Sequence, residues 1–407
     1  MIEARLIEEE LAIYKSELSD ELRRTFDYWI KYTPDTENGG FVGRIDNQNQ
    51  VIANVPKGSV LNARILWSFS AAYRLHKNED YLKYAGRAYL YIIEYLIDKE
   101  HGGVLWTVDY AGNPLDTKKQ VYAIAFTIYA LSEYYMASGK EDARLKAISL
   151  YHLLVERSYD PVKTGYFEAF TRDWQPITDL RLSAKDANEK KTMNTHLHVL
   201  EAYTNLYRTW PNYELKHQIT GLINNFLDHF IDTKTNHLLL FFDEDWNSKS
   251  TLVSYGHDIE ATWLLQEAAE VIKDNLLLEK LKKINVAVAG ATIEGIDTDG
   301  GLWYEYEPAD NHLTKEKQWW VQAEAIVGFY NTWQITGDDK YLNLSKRCWD
   351  FIKSKILDKQ NGEWFWGVDE KGDVMIAEDK VGIWKCPYHN SRACIEIIRR
   401  IKKYENL

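Results

Sequence analysis

Three of the eleven histidines stand out for their surroundings: His198 in KTMNTHLHVLEAY, His257 in SYGHDIEATWLL and His389 in WKCPYHNSRACIEI. Each opens an apolar run and has polar neighbours. Imidazole ordinarily titrates near neutrality, so it can take up a proton and return it. For any one of them, a satisfied core histidine is the plain alternative. Three at matching places in different repeats favour chemistry. His196, two residues before His198, points about 200° round the same helix, so the two are no chelating pair. Asn194, one turn earlier, gives His198 a second polar group on its face. Glu260 stands three residues after His257, where it can accept the ring N–H and fix the tautomer. Zinc could use the same groups, yet no H-E-x-x-H pattern accompanies them, and no metal is expected. His76, His101, His152, His217, His229, His237 and His312 lie in polar stretches that read as surface.

These histidines belong to a repeat. An Asp, a Gly or small substitute a few residues on, and alternating aromatics recur at Asp35, Asp98, Asp160, Asp232, Asp297 and Asp358, spaced 61 to 72 residues apart. That period holds two helices and a short hairpin. Leu61, Ile65, Phe69 and Ala72 trace one helical face. Second helices follow at 81–97, 145–158 and 341–357. An N-terminal helix over about 5–31, striped with Leu6, Leu11, Tyr14, Leu22, Phe26 and Trp29, would pair with a last one over 388–403 that carries Ile395, Ile398 and Ile401. An open solenoid needs polar caps at its ends. Two apolar terminal helices instead predict an all-α ring, an (α/α)6 barrel of twelve helices with short β-hairpin tips, and one catalytic domain over 1–407.

The helix that follows each tip begins with residues a core would not choose: Asn62 and Arg64; Tyr122; Asn194 and His198; His257, Asp258 and Glu260; Trp319, Trp320 and Glu324; Trp384, His389 and Arg392. In a closed ring all six starts face one mouth. Trp320 and Trp384 beside those polar groups suit stacking on a sugar ring. Trp303 of the fifth tip, Glu324 and Arg392 complete the candidate substrate-binding set. The 160–195 connection is long and its role is not legible.

Composition excludes other classes. Net charge is −12, the wrong sign for a nucleic-acid partner. No apolar run is long enough to span a membrane, and the charged, amphipathic N-terminus is unlike a signal peptide, so the cytoplasm is the expected home. Cys348, Cys386 and Cys394 offer no C-x-x-C spacing and read as plain thiols. Phosphate loops and G-x-S-x-G elbows do not occur.

NTHLHVLEAY, SYGHDIEATWLL, WWVQAEAIVGF and WKCPYHNSRACIEI together resemble the cellobiose 2-epimerases, a branch of the N-acylglucosamine 2-epimerase superfamily, over about Asn62 to Arg392. The resemblance implies an (α/α)6 barrel, no cofactor, and interconversion of reducing-end glucose with mannose in β-1,4-linked disaccharides, cellobiose to glucosyl-mannose and lactose to epilactose. It implies His257 and His389 as the acid/base pair, with His198, Arg64, Asn194, Tyr122, Glu260, Trp320 and Trp384 lining the sugar site. The chemistry agrees: inverting a carbon beside a carbonyl needs a base on one face and an acid on the other, each titrating near neutrality, and Arg64 can hold the enediolate oxygen. A mannose 2-epimerase or an aldose–ketose isomerase is the alternative on the same barrel. A glycoside hydrolase would use Glu260, Glu324 and Asp258 instead. The expected partner is a disaccharide or oligosaccharide, and the expected state a monomer or weak homodimer.

Overall fold

The structure is a computed structural model. It describes the backbone of residues 2–405 and the side chains of residues 6–405, so residues 1, 406 and 407 of the expected 1–407 span lie outside the described residues. Twelve α-helices occur among them: α1 (Ile2–Tyr32), α2 (Ser59–His76), α3 (Glu79–Tyr91), α4 (Val121–Ser138), α5 (Glu141–Arg157), α6 (Met193–Thr209), α7 (Tyr213–Asn225), α8 (Tyr255–Val271), α9 (Asn275–Thr292), α10 (Trp319–Thr336), α11 (Asp339–Phe351) and α12 (Tyr388–Glu405). The even-numbered helices pack in sequence, α2 on α4 through to α10 on α12, and α12 returns to α2. The odd-numbered helices form an outer layer, each against its inner partner, with α1 on α12. This is the expected (α/α)6 barrel.

The two layers differ in pattern because they differ in neighbours. The first fourteen residues of α2 and of α4 are all buried, as befits helices packed on every side. Outer helices are one-sided: α3 buries Tyr81, Ala85, Ala88 and Tyr89 and exposes Leu90. Four of them, α3, α7, α9 and α11, are capped at their starts by Asn78, Asn212, Asp274 and Asp338, each accepting from a backbone N–H of the first turn. Inner helices α4 and α10 stop at Gly139 and Gly337, whose φ of 72° and 69° gives the left-handed turn that reverses the chain. Leu6 is 54% exposed and lies outside the seam that the rest of the α1 stripe forms.

The seam joins the chain's two ends. Trp364 donates to Glu21 (2.7 Å), Trp29 to Glu363 (2.5 Å), and Tyr14 bonds Ser345 (3.0 Å). Burying an aromatic side chain this fully contributes about 2–3 kcal/mol, and Phe26, Trp29 and Trp364 are all inaccessible.

The tips pair with one another as well as within themselves. The two residues before each of five inner helices form an antiparallel pair with the next tip: Lys57 opposite Val108, Lys119 opposite Phe170, Lys191 opposite Phe242, Val253 opposite Tyr306 and Lys317 opposite Val368. A bridge between Ile45 and Val381 closes the circle. The lysines reach back to the aspartate of their own tip: Lys57 to Asp35 (2.7 Å), Lys119 to Asp98 (2.6 Å), Lys191 to Asp160 (2.8 Å) and Lys317 to Asp297 (2.7 Å). Lys380 does the same for Asp358 in the sixth tip (2.6 Å). In five of the six tips the repeated Asp is thus one half of a largely buried ion pair that fastens the tip to the segment behind it.

Candidate active site

Helix starts that are hundreds of residues apart in sequence meet at one mouth. His389, on the first turn of α12, sets its Nδ1 2.7 Å from Glu324 Oε1 of α10. Trp263 donates to the other oxygen of Glu324 (3.1 Å) and Arg392 to the first (2.7 Å). Three donors on two oxygens fit a carboxylate, so His389 Nδ1 carries the proton and Nε2 keeps its lone pair. The Trp320 ring lies 5.7 Å from the His389 ring and 4.8 Å from that of His257. One indole therefore flanks both imidazoles.

His257 does not bond Glu260 as the spacing suggested. Its Nδ1 is 2.8 Å from Ser254 Oγ, while Glu260 is drawn to Arg392. The bond expected there forms instead one repeat earlier, where His198 Nδ1 is 2.9 Å from Glu201 Oε2 at the same i, i+3 spacing. The guanidinium of Arg392 holds both of these carboxylates. It is 1% exposed and pairs with Glu201, Glu260 and Glu324 at once. Arg392 and Glu324 were expected to bind substrate; both are committed to the protein, Arg392 as the hub of three carboxylates and Glu324 as the partner of His389.

Burial sets the charge states. It pushes His257 down to about 3, with a smaller push from His198, and His389 well below the ordinary imidazole value, helped by Arg64 and Arg392. The expectation that both titrate near neutrality does not hold for the free protein, where both are neutral bases. Burial raises Glu260 to about 7, with Glu324 adding and Arg392 opposing. Burial works against Glu201 too, but Arg392 and the bond from His198 outweigh it and hold this carboxyl at about 2.

Arg64, 3% exposed, donates to the Tyr122 hydroxyl (2.7 Å) and lies 4.3 Å from the Phe126 ring and 4.8 Å from the Tyr388 ring. Tyr122 meets His198 edge-on at 5.0 Å and Trp384 at 6.0 Å. Trp384 also contacts Trp106 at 5.8 Å, so that Tyr122, Trp384 and Trp106 make an aromatic wall. Buried atoms without a hydrogen-bond partner among the described residues include Asn194 Oδ1, Glu260 Oε2 and Arg64 Nε. Such atoms gather where a polar ligand can satisfy them. Glu260, Glu324 and His389 are close enough together to ligate a cation, but the Arg392 guanidinium already supplies both carboxylates with positive charge.

Other sequence candidates fall elsewhere. Trp303 donates to Asp297 (3.3 Å) and packs in its own tip; the next residue, Tyr304, is the one that meets Trp320, edge-on at 6.3 Å. Asp258 faces away from the mouth and pairs with His237. His237, expected at the surface, is 8% exposed. His196 points outward as expected, accepting from Tyr166 N (2.9 Å). The long connection is pinned by Gln120, which donates to Leu180 O (3.2 Å) and Arg181 O (2.9 Å), and by Asn188, which accepts from Leu180 N (2.8 Å). Asp186 acts electrostatically on Tyr304 and Glu305, so the connection reaches toward the fifth tip. Glu201, Tyr388, Trp263, Ser254 and Trp106 escaped sequence reading. Only Glu201 carried a signal, its spacing from His198.

The N-acylglucosamine 2-epimerase (GlcNAc 2-epimerase) family model matches residues 20–393. The chain belongs to that family and is an isomerase. It is 49% identical over 387 residues to the cellobiose 2-epimerase of Bacteroides fragilis, covering 95% of this chain and 99% of that one. The solved cellobiose 2-epimerase from Bacillus thermoamylovorans superposes with a TM-score of 0.92 at 40% identity, over 96% of this chain and 100% of that one. A D-mannose isomerase structure shares the fold, with a TM-score of 0.82 at 22% identity over 95% of this chain and 98% of that one. No helix among the described residues is long and apolar enough to cross a membrane.

Proposed function

We propose that the protein inverts C2 of the reducing-end glucose of β-1,4-linked disaccharides, converting cellobiose to glucosyl-mannose and lactose to epilactose, with imidazoles moving the protons and no cofactor. The observation that carries this is the placing of His257 and His389 against one indole, with His389 anchored through Nδ1 on Glu324. Once the sugar ring opens, C2 bears an acidic proton beside an aldehyde. One imidazole removes it and the other, protonated, returns one to the opposite face. The resting imidazoles are neutral, so the acid must be loaded first, and Glu260, which keeps its proton up to about 7 and lies within 4.8 Å of His389, can supply that proton. Arg64 and Tyr122 hold the enediolate oxygen. Asn194 and His198 bind sugar hydroxyls, and Trp320 stacks on the reacting ring. Trp384 with Trp106 takes the second sugar. The whole span 1–407 acts as one catalytic domain, a monomer or weak homodimer in the cytoplasm, a compartment that its three buried free thiols suit.

Incubation with cellobiose in deuterated water, followed by NMR, tests this. Glucosyl-mannose deuterated at C2 is the expected product. A ketose would assign an aldose–ketose isomerase, free glucose a hydrolase, and either would overturn the proposal.

A further inference from the structure

The fourth tip lacks the lysine that fastens the others. The position that pairs with the next tip is Val253, opposite Tyr306, and Asp232 is left with donors from its own loop, Lys234 N and Thr235 Oγ1. This is the repeat that carries His257.

A different contact stands in its place, with the charges exchanged. Here the base sits on the tip and the acid on the helix: His237 Nδ1 is 2.7 Å from Asp258 Oδ2. Asp258 is the fourth residue of α8. The fourth residues of α6 and α10 are His196 and Gln322, and both accept a backbone N–H from their tips, Tyr166 N at 2.9 Å and Leu302 N at 2.8 Å. Asp258 accepts the corresponding Leu238 N at 2.8 Å. It keeps the bond shared by its neighbours and adds an ion pair that they lack.

We propose that His237 and Asp258 are positioning residues which seat the first turn of α8, and through it the imidazole of His257, in the repeat where the lysine is missing. The inference rests on the reading of His257 as a proton-transfer group. His257 is joined to Asp258 by a peptide bond, and its own partner, Ser254, lies in the residue pair that leads into the helix. A shift of this turn therefore moves His257 against both Ser254 and Trp320. The groups that face His237 are Asp258 of α8, Glu294 beyond α9 (3.3 Å from Nε2) and Tyr255 of α8, whose hydroxyl donates to Glu294 (3.2 Å). Burial favours neutral His237, but Asp258 and Glu294 outweigh it, so the imidazole holds its proton to higher pH than usual. The couple is strongest below that raised pKa and weakens as pH rises through it.

His237→Ala and His237→Gln test the assignment, the glutamine because its amide can still donate to Asp258. With cellobiose, His237→Ala is expected to lower kcat about tenfold or more with KM within about twofold, since small misplacements of a reacting group act on the chemical step. His237→Gln is expected to recover kcat to within about threefold of wild type by restoring that donor. The side-chain 15N resonances of His257, recorded without sugar, are expected to move in His237→Ala and return toward wild type in His237→Gln. Unchanged resonances with wild-type kcat in His237→Ala would overturn the proposal, as would equal failure of both variants. If the wild-type protein left cellobiose untouched, the functional reading would fall, and the His257 resonances would still decide whether this couple positions the ring.

Discussion

At the scale of single residues, the site divides its charged groups by what they can reach. Arg392 and Glu324 are spent on the protein, while Glu260 Oε2, Asn194 Oδ1 and Arg64 Nε are open to a ligand. Glu260, raised to about 7, is a buried carboxyl of the site whose charge changes near neutrality. Passing its proton to the imidazole beside it loads the acid, and this one-proton form is lost once Glu260 releases the proton to solvent, so kcat/KM for cellobiose should fall as pH increases through about 7. A pH–rate profile from acid to mildly alkaline buffer checks this, and Glu260→Gln should flatten the step while lowering the rate throughout. Trp384 carries the second expectation. Replacing it by Ala removes a stacking surface worth about 1–3 kcal/mol, so kcat/KM on cellobiose or lactose should fall roughly ten- to a hundredfold, with mannose affected much less. Equal losses on both sugars would put Trp384 against the reacting ring.

At the scale of elements, the tips are fastened from behind. Lys380 and Asp358 are 0% and 4% exposed, and Lys380→Met would leave the aspartate buried without its cation. Breaking such a pair costs about 3–5 kcal/mol, a drop that calorimetric unfolding can measure. The Asp repeat, the helical faces and the polar helix starts were all legible in sequence, because each is a local pattern. Which carboxylate meets which imidazole was not. His198–Glu201 and His257–Glu260 share one spacing, and Arg392, arriving from the far end of the chain, pairs with both carboxylates, while His257 turns instead to Ser254, three residues before it. Trp303 was misjudged for a related reason: an aromatic tip announces itself in composition, but the Trp303 indole N–H is taken by Asp297 of its own tip and the neighbouring Tyr304 is the ring that meets Trp320. His237 was misread because the residues just before it are polar, while the neighbour that matters, Asp258, lies on the next helix.

At the scale of the whole molecule, closure is what brings six helix starts to one mouth. An open array can shed a terminal helix and keep the rest. A ring cannot, because α1 covers α12 and binds the Glu363 region through Trp29 and Glu21. Deleting residues 1–32 is therefore expected to abolish cooperative thermal unfolding and the near-ultraviolet circular dichroism signal; a truncated protein melting at the wild-type Tm would contradict a closed ring. The lysine–aspartate fastenings carry one more consequence. Each binds its tip at the base and leaves the far side of that tip free, and the floor of proton-transfer groups belongs to the helices. Wall and floor are thereby separate parts. Lengthening a tip between its anchors, as the third repeat has done between Asp160 and Lys191, rebuilds the wall while the floor stays in place. Grafting tips from barrels that act on other sugars, cut at the aspartate and the lysine, is accordingly a route to new substrates that leaves the reaction itself intact.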